Sequence, residues 1–172
     1  MATGSTDSAA YGWLYQWGRL TDGHQIPTSG TSATLSATDV PGHTNFIVAT
    51  GTGDWRSPQN DSLITIWGGV NGTSSPCPID WRVPTYSEWD TLIVAAGITN
   101  YATAYGSSLK LTVAGFRDGS DGSLGDQGLV GYYWWSSPDL SGAYGLYFDS
   151  TSVNPVVYGY RAHALSVRCI KN

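Results

Sequence analysis

Glutamate and lysine are nearly missing from these 172 residues: Glu88 is the one glutamate, and Lys110 and Lys171 are the two lysines. Long helices draw on Glu, Lys, Ala and Leu, so the scarcity argues against a chain built of long helices. Positive charge is short too. Eight Lys and Arg stand against thirteen Asp and Glu, for a net charge of −5. A nucleic-acid surface needs a basic patch to displace phosphate counterions, so no nucleic-acid partner is expected. No apolar run nears the roughly 20 residues of a membrane span, and no membrane insertion is expected. Residues 1–10 are small and polar and read as a flexible lead, with no cationic-then-apolar start.

Glycine (22), tyrosine (11) and tryptophan (8) are abundant instead. That composition favours strands, turns and an aromatic interior in a single domain over 11–172. Tyr11 to Leu20 has strand-like aromatic content. Residues 21–45 read as a long irregular segment, Phe46 to Thr50 as a short apolar run, and Ser62 to Trp67 as another. Thr85 and Glu88 form a capping box. Trp89, Leu92, Ile93 and Ala96 follow at helical spacing and Gly97 supplies a stop, which predicts a helix over 86–96. Leu109 to Phe116 alternates and predicts a strand. Residues 118–123 are a loop. Tyr132 to Ser136, Tyr144 to Phe148 and Leu165 to Ile170 complete an antiparallel set.

The only cysteines are Cys77 and Cys169. They are either a structural disulfide or two buried thiols; no Cys-x-x-Cys supports redox chemistry. A bridge between them would imply an oxidising location.

Catalytic signals are sparse. The aspartates sit mostly in turn-like strings and Glu88 is committed to a helix cap, which leaves no obvious carboxylate pair. His24, His43 and His163 lack a Gly-x-Ser-x-Gly nucleophile elbow. No Cys/His cluster has zinc spacing. Asp118, Ser120 and Asp121 could present oxygens to calcium, although a metal-free turn is the simpler reading. No cofactor is expected. Trp13, Trp17, Trp81, Trp89, Trp134 and Trp135 read as aromatic core, whereas Trp55 and Trp67, near loops, could stack on a sugar.

Three segments carry a resemblance. They are Tyr11 to Gly18, Cys77 to Trp89, and Ala114 to Ser120 continued by Gly131 to Ser137 and Ser166 to Cys169. In this order they resemble the Fibrobacter succinogenes major paralogous domain over almost the whole chain after Ala10. The resemblance implies an α+β, C-type-lectin-like (formylglycine-generating-enzyme-type) fold. It also implies kinship with variable proteins of diversity-generating retroelements, whose C-terminal repeat is mutagenised at adenines. Family C-termini are similar to an Asn-rich stretch ending in Asn-Arg-Ala-Asn-Gly-Phe-Ser-Val-Arg-Cys. Residues 156–166 depart from it mostly where diversification would act; Ala164 and Leu165 are not explained this way. Asp80 stands where the family has Gly before Trp81, which leaves the local turn type open.

The expected function is non-enzymatic recognition of a protein or glycan receptor on a cell surface, on a phage tail or bacterial surface, through a variable region over about 135–165. The candidate contact residues are Trp135, Asp139, Tyr144, Tyr147, Asp149, Thr151, Val156, Val157, Tyr158, Tyr160 and His163. Tyrosine gives large contact area at small entropic cost, as in antibody paratopes. The alternatives are an assembly module docked to a larger exported protein or virion, and a carbohydrate-active enzyme.

Overall fold

The computed structural model describes residues 3–63, 67, 75–139 and 142–172; the side chains of Pro138 and Asp139 are not described. The domain is mixed α+β, assembled from small and mainly antiparallel sheets with two α-helices among the described residues.

The helix predicted from the capping box is present as α1, Tyr86–Ala95. The Thr85 hydroxyl accepts the Glu88 N–H, and the Glu88 carboxylate accepts the Thr85 N–H at 2.9 Å. The helix closes in a Schellman motif, with Ile98 N–H donating to Ile93 O and Gly97 N–H to Val94 O. A second helix, α2 (Tyr101–Gly106), follows an Asn100 cap. Residues 3–10 include a 3-10 turn, Ser8–Ala10, and Ser5 O accepts the Val113 N–H.

Strands β1 (Tyr15–Gln16), β2 (Thr31–Ser32), β3 (Phe46–Ile47), β4 (Trp81–Arg82), β5 (Phe116–Arg117) and β6 (Leu124–Gly125) are two residues long. The longer strands come later: β7 (Gly131–Asp139), β8 (Gly142–Phe148) and β9 (Val153–Tyr160). Two short ones end the chain, β10 (Ala164–Leu165) and β11 (Ile170–Lys171). The N- and C-terminal strands meet: β1 pairs with β10 in a sheet ordered β1-β10-β5-β6, and β11 pairs with β4. Strands β2 and β3 pair in parallel. The antiparallel sheet β7-β8-β9 carries the candidate region.

Alternation along β7 divides the core in two. Trp134 points into a cluster with Trp17, Trp55, Trp67 and Leu165. Its neighbours Tyr133 and Trp135 point the other way, against Trp89, Ile93, Leu146 and Phe148. Four of the buried indoles place their N–H groups on backbone carbonyls. Trp17 donates to Trp135 O, Trp55 to Trp17 O, Trp134 to Tyr15 O and Trp89 to Trp134 O. For these four, tryptophan packing and backbone hydrogen bonding are one network.

Several expectations need correction. Leu109–Gly115 forms no strand. Its backbone has scattered partners: Thr112 N–H donates to the Tyr133 hydroxyl and Gly115 N–H to Val130 O. Strand β9 was not foreseen. Trp55 and Trp67 are fully buried, so neither offers a sugar platform, whereas Trp13 (52% exposed) and Trp81 are not core. Residues 64–66 of the Ser62 to Trp67 run lie outside the described residues. Cys77 and Cys169 form a disulfide, Cα atoms 5.8 Å apart, beside the β4–β11 pair. Asp80 takes φ 66°, the left-handed conformation that favours Gly, which settles the local turn.

Candidate functional site

Two irregularities shape the β7-β8-β9 sheet. Between Trp134 and Pro138, β7 advances four residues while β8 advances two. From Asn154 to Val157, β9 advances three while β8 advances two. Bulges re-aim side chains. Here the second one places Tyr158 opposite Tyr144 and leaves Val156, Tyr158 and Tyr160 exposed in alternation with half-buried Val157 and Gly159. β9 is an edge strand of its sheet, which is why Pro155 is tolerated in it.

The rings of the region touch in series. From Tyr86 on α1 the contacts run through Trp135, Tyr144, Tyr158, Tyr160 and His163 to Phe116, Tyr132 and Tyr147, with centroids 4.7–6.2 Å apart. Exposure varies along this series. Tyr158 (45%) and Tyr160 (51%) are open, Tyr144, Tyr147 and His163 are half-buried, and Trp135 is buried at 4%. Trp135 is therefore core, correcting its reading as a contact residue; it packs between Tyr86 and Tyr144.

The frame behind these rings is tightly fixed. Arg161, the residue after Tyr160, is fully buried. Its Nε donates to Gly142 O at 3.0 Å, its guanidinium pairs with Asp61 at 2.6 Å and Asp54 at 3.5 Å, and it lies over Trp17. Gln16 reaches across from β1, donating to both Ile47 O and Ala162 O. Gly53 has φ 72°, and a Cβ there would stand 2.5 Å from the Tyr160 ring. Glycine is required at 53 both by the backbone and by that packing.

Two concavities flank β9. The larger, about 480 Å³, lies between Tyr160, His163, Thr52, Gly53, Asp118 and Ser120. The smaller, about 210 Å³, is walled by Phe116, Tyr132, Val157, Tyr158 and Leu165. The His163 ring lines both. Its Nδ1 accepts the Gly119 N–H at 2.9 Å, so the neutral ring carries its proton on Nε2 and presents a donor. Burial lowers its pKa, against a smaller opposing effect of Asp118. The Ser120 hydroxyl donates to Asp118 rather than to the imidazole. A nucleophile-base pair needs the reverse arrangement, with the hydroxyl donating to an imidazole lone pair.

The remaining candidates are engaged locally. Asp118 Oδ1 accepts from Ser120 N–H and Oγ–H, and Asp121 Oδ1 from Ser123 N–H. Among the described residues no three His, Cys, Asp or Glu side chains converge as a metal site. Asp149 builds the β8–β9 turn: one oxygen takes the Thr151 and Ser152 N–H groups and the Thr151 hydroxyl, and the other takes the Tyr147 hydroxyl at 2.5 Å. Those bonds, Tyr147's first, hold its carboxyl far below the usual carboxylate range. The Asp139 backbone pairs with Gly142 in the sheet, and its side chain lies outside the described residues.

Sequence reading missed Tyr132, Phe116 and the Thr52–Gly53 loop. Tyr132 and Phe116 carried a signal, since both belong to the motif segments; the 52–53 loop carried none. Compared with protein-family models, with curated proteins and with solved structures, the chain matches none.

Proposed function

We propose that this chain is a non-enzymatic recognition domain of C-type-lectin-like fold, binding a receptor through the aromatic face of β9 and its flanking clefts. One observation carries the reading. Within six residues the chain passes from half-exposed Tyr158 and Tyr160 to fully buried Arg161, Ala162 and Ala164. The frame is anchored by the buried residues, and the tyrosines stand outward on an edge strand that does not need them for its core. Large, nearly rigid aromatic side chains on a preformed surface are the usual anchors of recognition. The Cys77–Cys169 disulfide supports an oxidising, extracellular, cell-surface or virion setting. Diversification of residues 135–165 remains part of the proposal, resting on the resemblance.

The test is Tyr158→Thr with Tyr160→Thr, which keeps strand propensity. Receptor capture should be lost while far-UV circular dichroism is unchanged. Retained capture would refute this reading.

An assembly role is favoured by a different patch. Ile79 (82% exposed) and Trp81 stand beside the disulfide, next to a shallow cleft with Val167 and Arg168. Trp81→Ser should then weaken docking to a parent protein and leave receptor capture unchanged.

A further inference from the structure

We infer that the ligand of this face is a protein segment that inserts one apolar side chain, flanked by Lys or Arg, into the small pocket between β9 and β5. The inference rests on the recognition reading above and names the partner class.

The pocket's shape and chemistry point to a side chain. Its walls are Phe116, Tyr132, Val157 and Leu165. Its volume, about 210 Å³, falls below the roughly 300 Å³ at which pockets for whole small molecules begin. It is nearer the roughly 150 Å³ that accepts a benzene ring. A sugar ring brings hydroxyl groups, and burying those without partners costs free energy. The walls are also fixed before binding. Phe116 meets Tyr132 and His163 edge-on at 5.6 and 5.7 Å. The next residue, Arg117, is buried and bonded to Gly122 O, Ser29 O and the Ser29 hydroxyl. A preformed, mainly apolar pocket that takes one anchor is the pattern of an interface hot spot.

Charge completes the description. The Tyr132 hydroxyl donates to Asp126, and the Tyr147 hydroxyl, whose ring packs on Tyr132, donates to Asp149. Asp118 lines the adjoining cleft. Among the described residues, no lysine or arginine lines either concavity. Carboxylates thus neighbour the apolar pocket without lining it, Asp126 through its bond to Tyr132 and Asp118 in the adjoining cleft, on a chain of net charge −5. Complementarity calls for a basic surround on the partner. Imidazole Nε2–H adds one donor at the pocket edge, suited to a backbone carbonyl.

The experiment is selection from a random linear peptide display library on the immobilised full chain, with enriched peptides synthesised and titrated. The inference predicts one Leu, Ile, Met or Phe with Lys or Arg close by in sequence. Replacing that residue by Ala should weaken binding at least about 30-fold. Val157→Phe, which fills the pocket from β9, should abolish capture at unchanged circular dichroism, whereas Val94→Phe on the exposed side of α1 should not. No enrichment, acidic or wholly polar consensus sequences, or capture that survives Val157→Phe would overturn it. A glycan array run in parallel separates the two readings. Glycan capture that needs Tyr158 and Tyr160 but tolerates Val157→Phe refutes the peptide inference and leaves recognition standing. Capture of neither class refutes both.

Discussion

Replacing Arg161 by Met removes the charge that ties the end of β9 to the core while keeping an unbranched side chain over Trp17. The wild-type guanidinium is fully buried and holds Gly142 O, Asn60 O, Asp54 and Asp61. Asp61 is two-thirds exposed and can return to water, but Asp54 cannot. Burial already raises the Asp54 carboxyl above its usual range, with Arg161 among the groups opposing that rise. Removing one member of a buried pair costs about 3–5 kcal/mol, and for a domain of this size each kcal/mol is worth roughly 2–4 °C in Tm. Arg161→Met should therefore lower Tm by about 6–20 °C in a thermal melt. Much of that loss should come from the stranded carboxylate. Adding Asp54→Asn should recover about 1–3 kcal/mol, the coupling expected of residues in one network. A loss under about 1 kcal/mol, or no recovery in the double variant, would refute the assignment of Arg161 as the anchor of this strand.

Three further outcomes follow from particular groups. His24 is buried, accepts the Gln16 N–H and contacts Asp22, and burial lowers its pKa to about 4 from 6.5. The unfolded chain then takes the proton first as pH falls, so stability is full above about pH 6.5. About 2 kcal/mol should be lost by about pH 5, measured by urea unfolding, and His24→Gln should flatten that slope. Opening the disulfide with Cys77→Ala and Cys169→Ala releases a loop of 92 residues and should cost about 4–5 kcal/mol in the chain-entropy model, read as a lower urea midpoint. At Asp80, φ 66° makes Val costly by roughly 1–2 kcal/mol, while Gly should be neutral or slightly stabilising.

What the sequence shows follows the range of the forces involved. The α1 capping box spans four residues and its chemistry is local, so Thr85 and Glu88 announced the helix directly. Strand β9 was hidden because Asn154-Pro155 interrupts its pattern, and only an edge position with a bulge opposite Gly145–Tyr147 makes that tolerable. Leu109–Gly115 shows the converse. Its alternation is real, but the segment meets a strand only at the isolated Gly115–Gly131 bridge, and its N–H groups go to Ser5, Ala104, Tyr133 and Val130. Trp55 is buried by packing against residues far along the chain, and its polar flanks conceal that. Trp13 and Trp81 reverse the error: aromatic neighbours suggested a core position that the topology leaves open. Within the site, Tyr158 and Tyr160 were legible as candidates by residue type. The pocket was not, because Phe116, Tyr132 and Leu165 come from β5, β7 and β10 and meet only in the folded domain.

The account depends most on the separation of face from frame, and a paired melt and capture measurement on Tyr158→Thr/Tyr160→Thr tests it directly. Both side chains are about half exposed. Full burial of such a ring is worth roughly 1.5–3 kcal/mol, so the pair should cost about 1.5–3 kcal/mol, a Tm fall of less than about 12 °C, with ligand capture gone. A fall of 15 °C or more, or unimpaired capture, would contradict it.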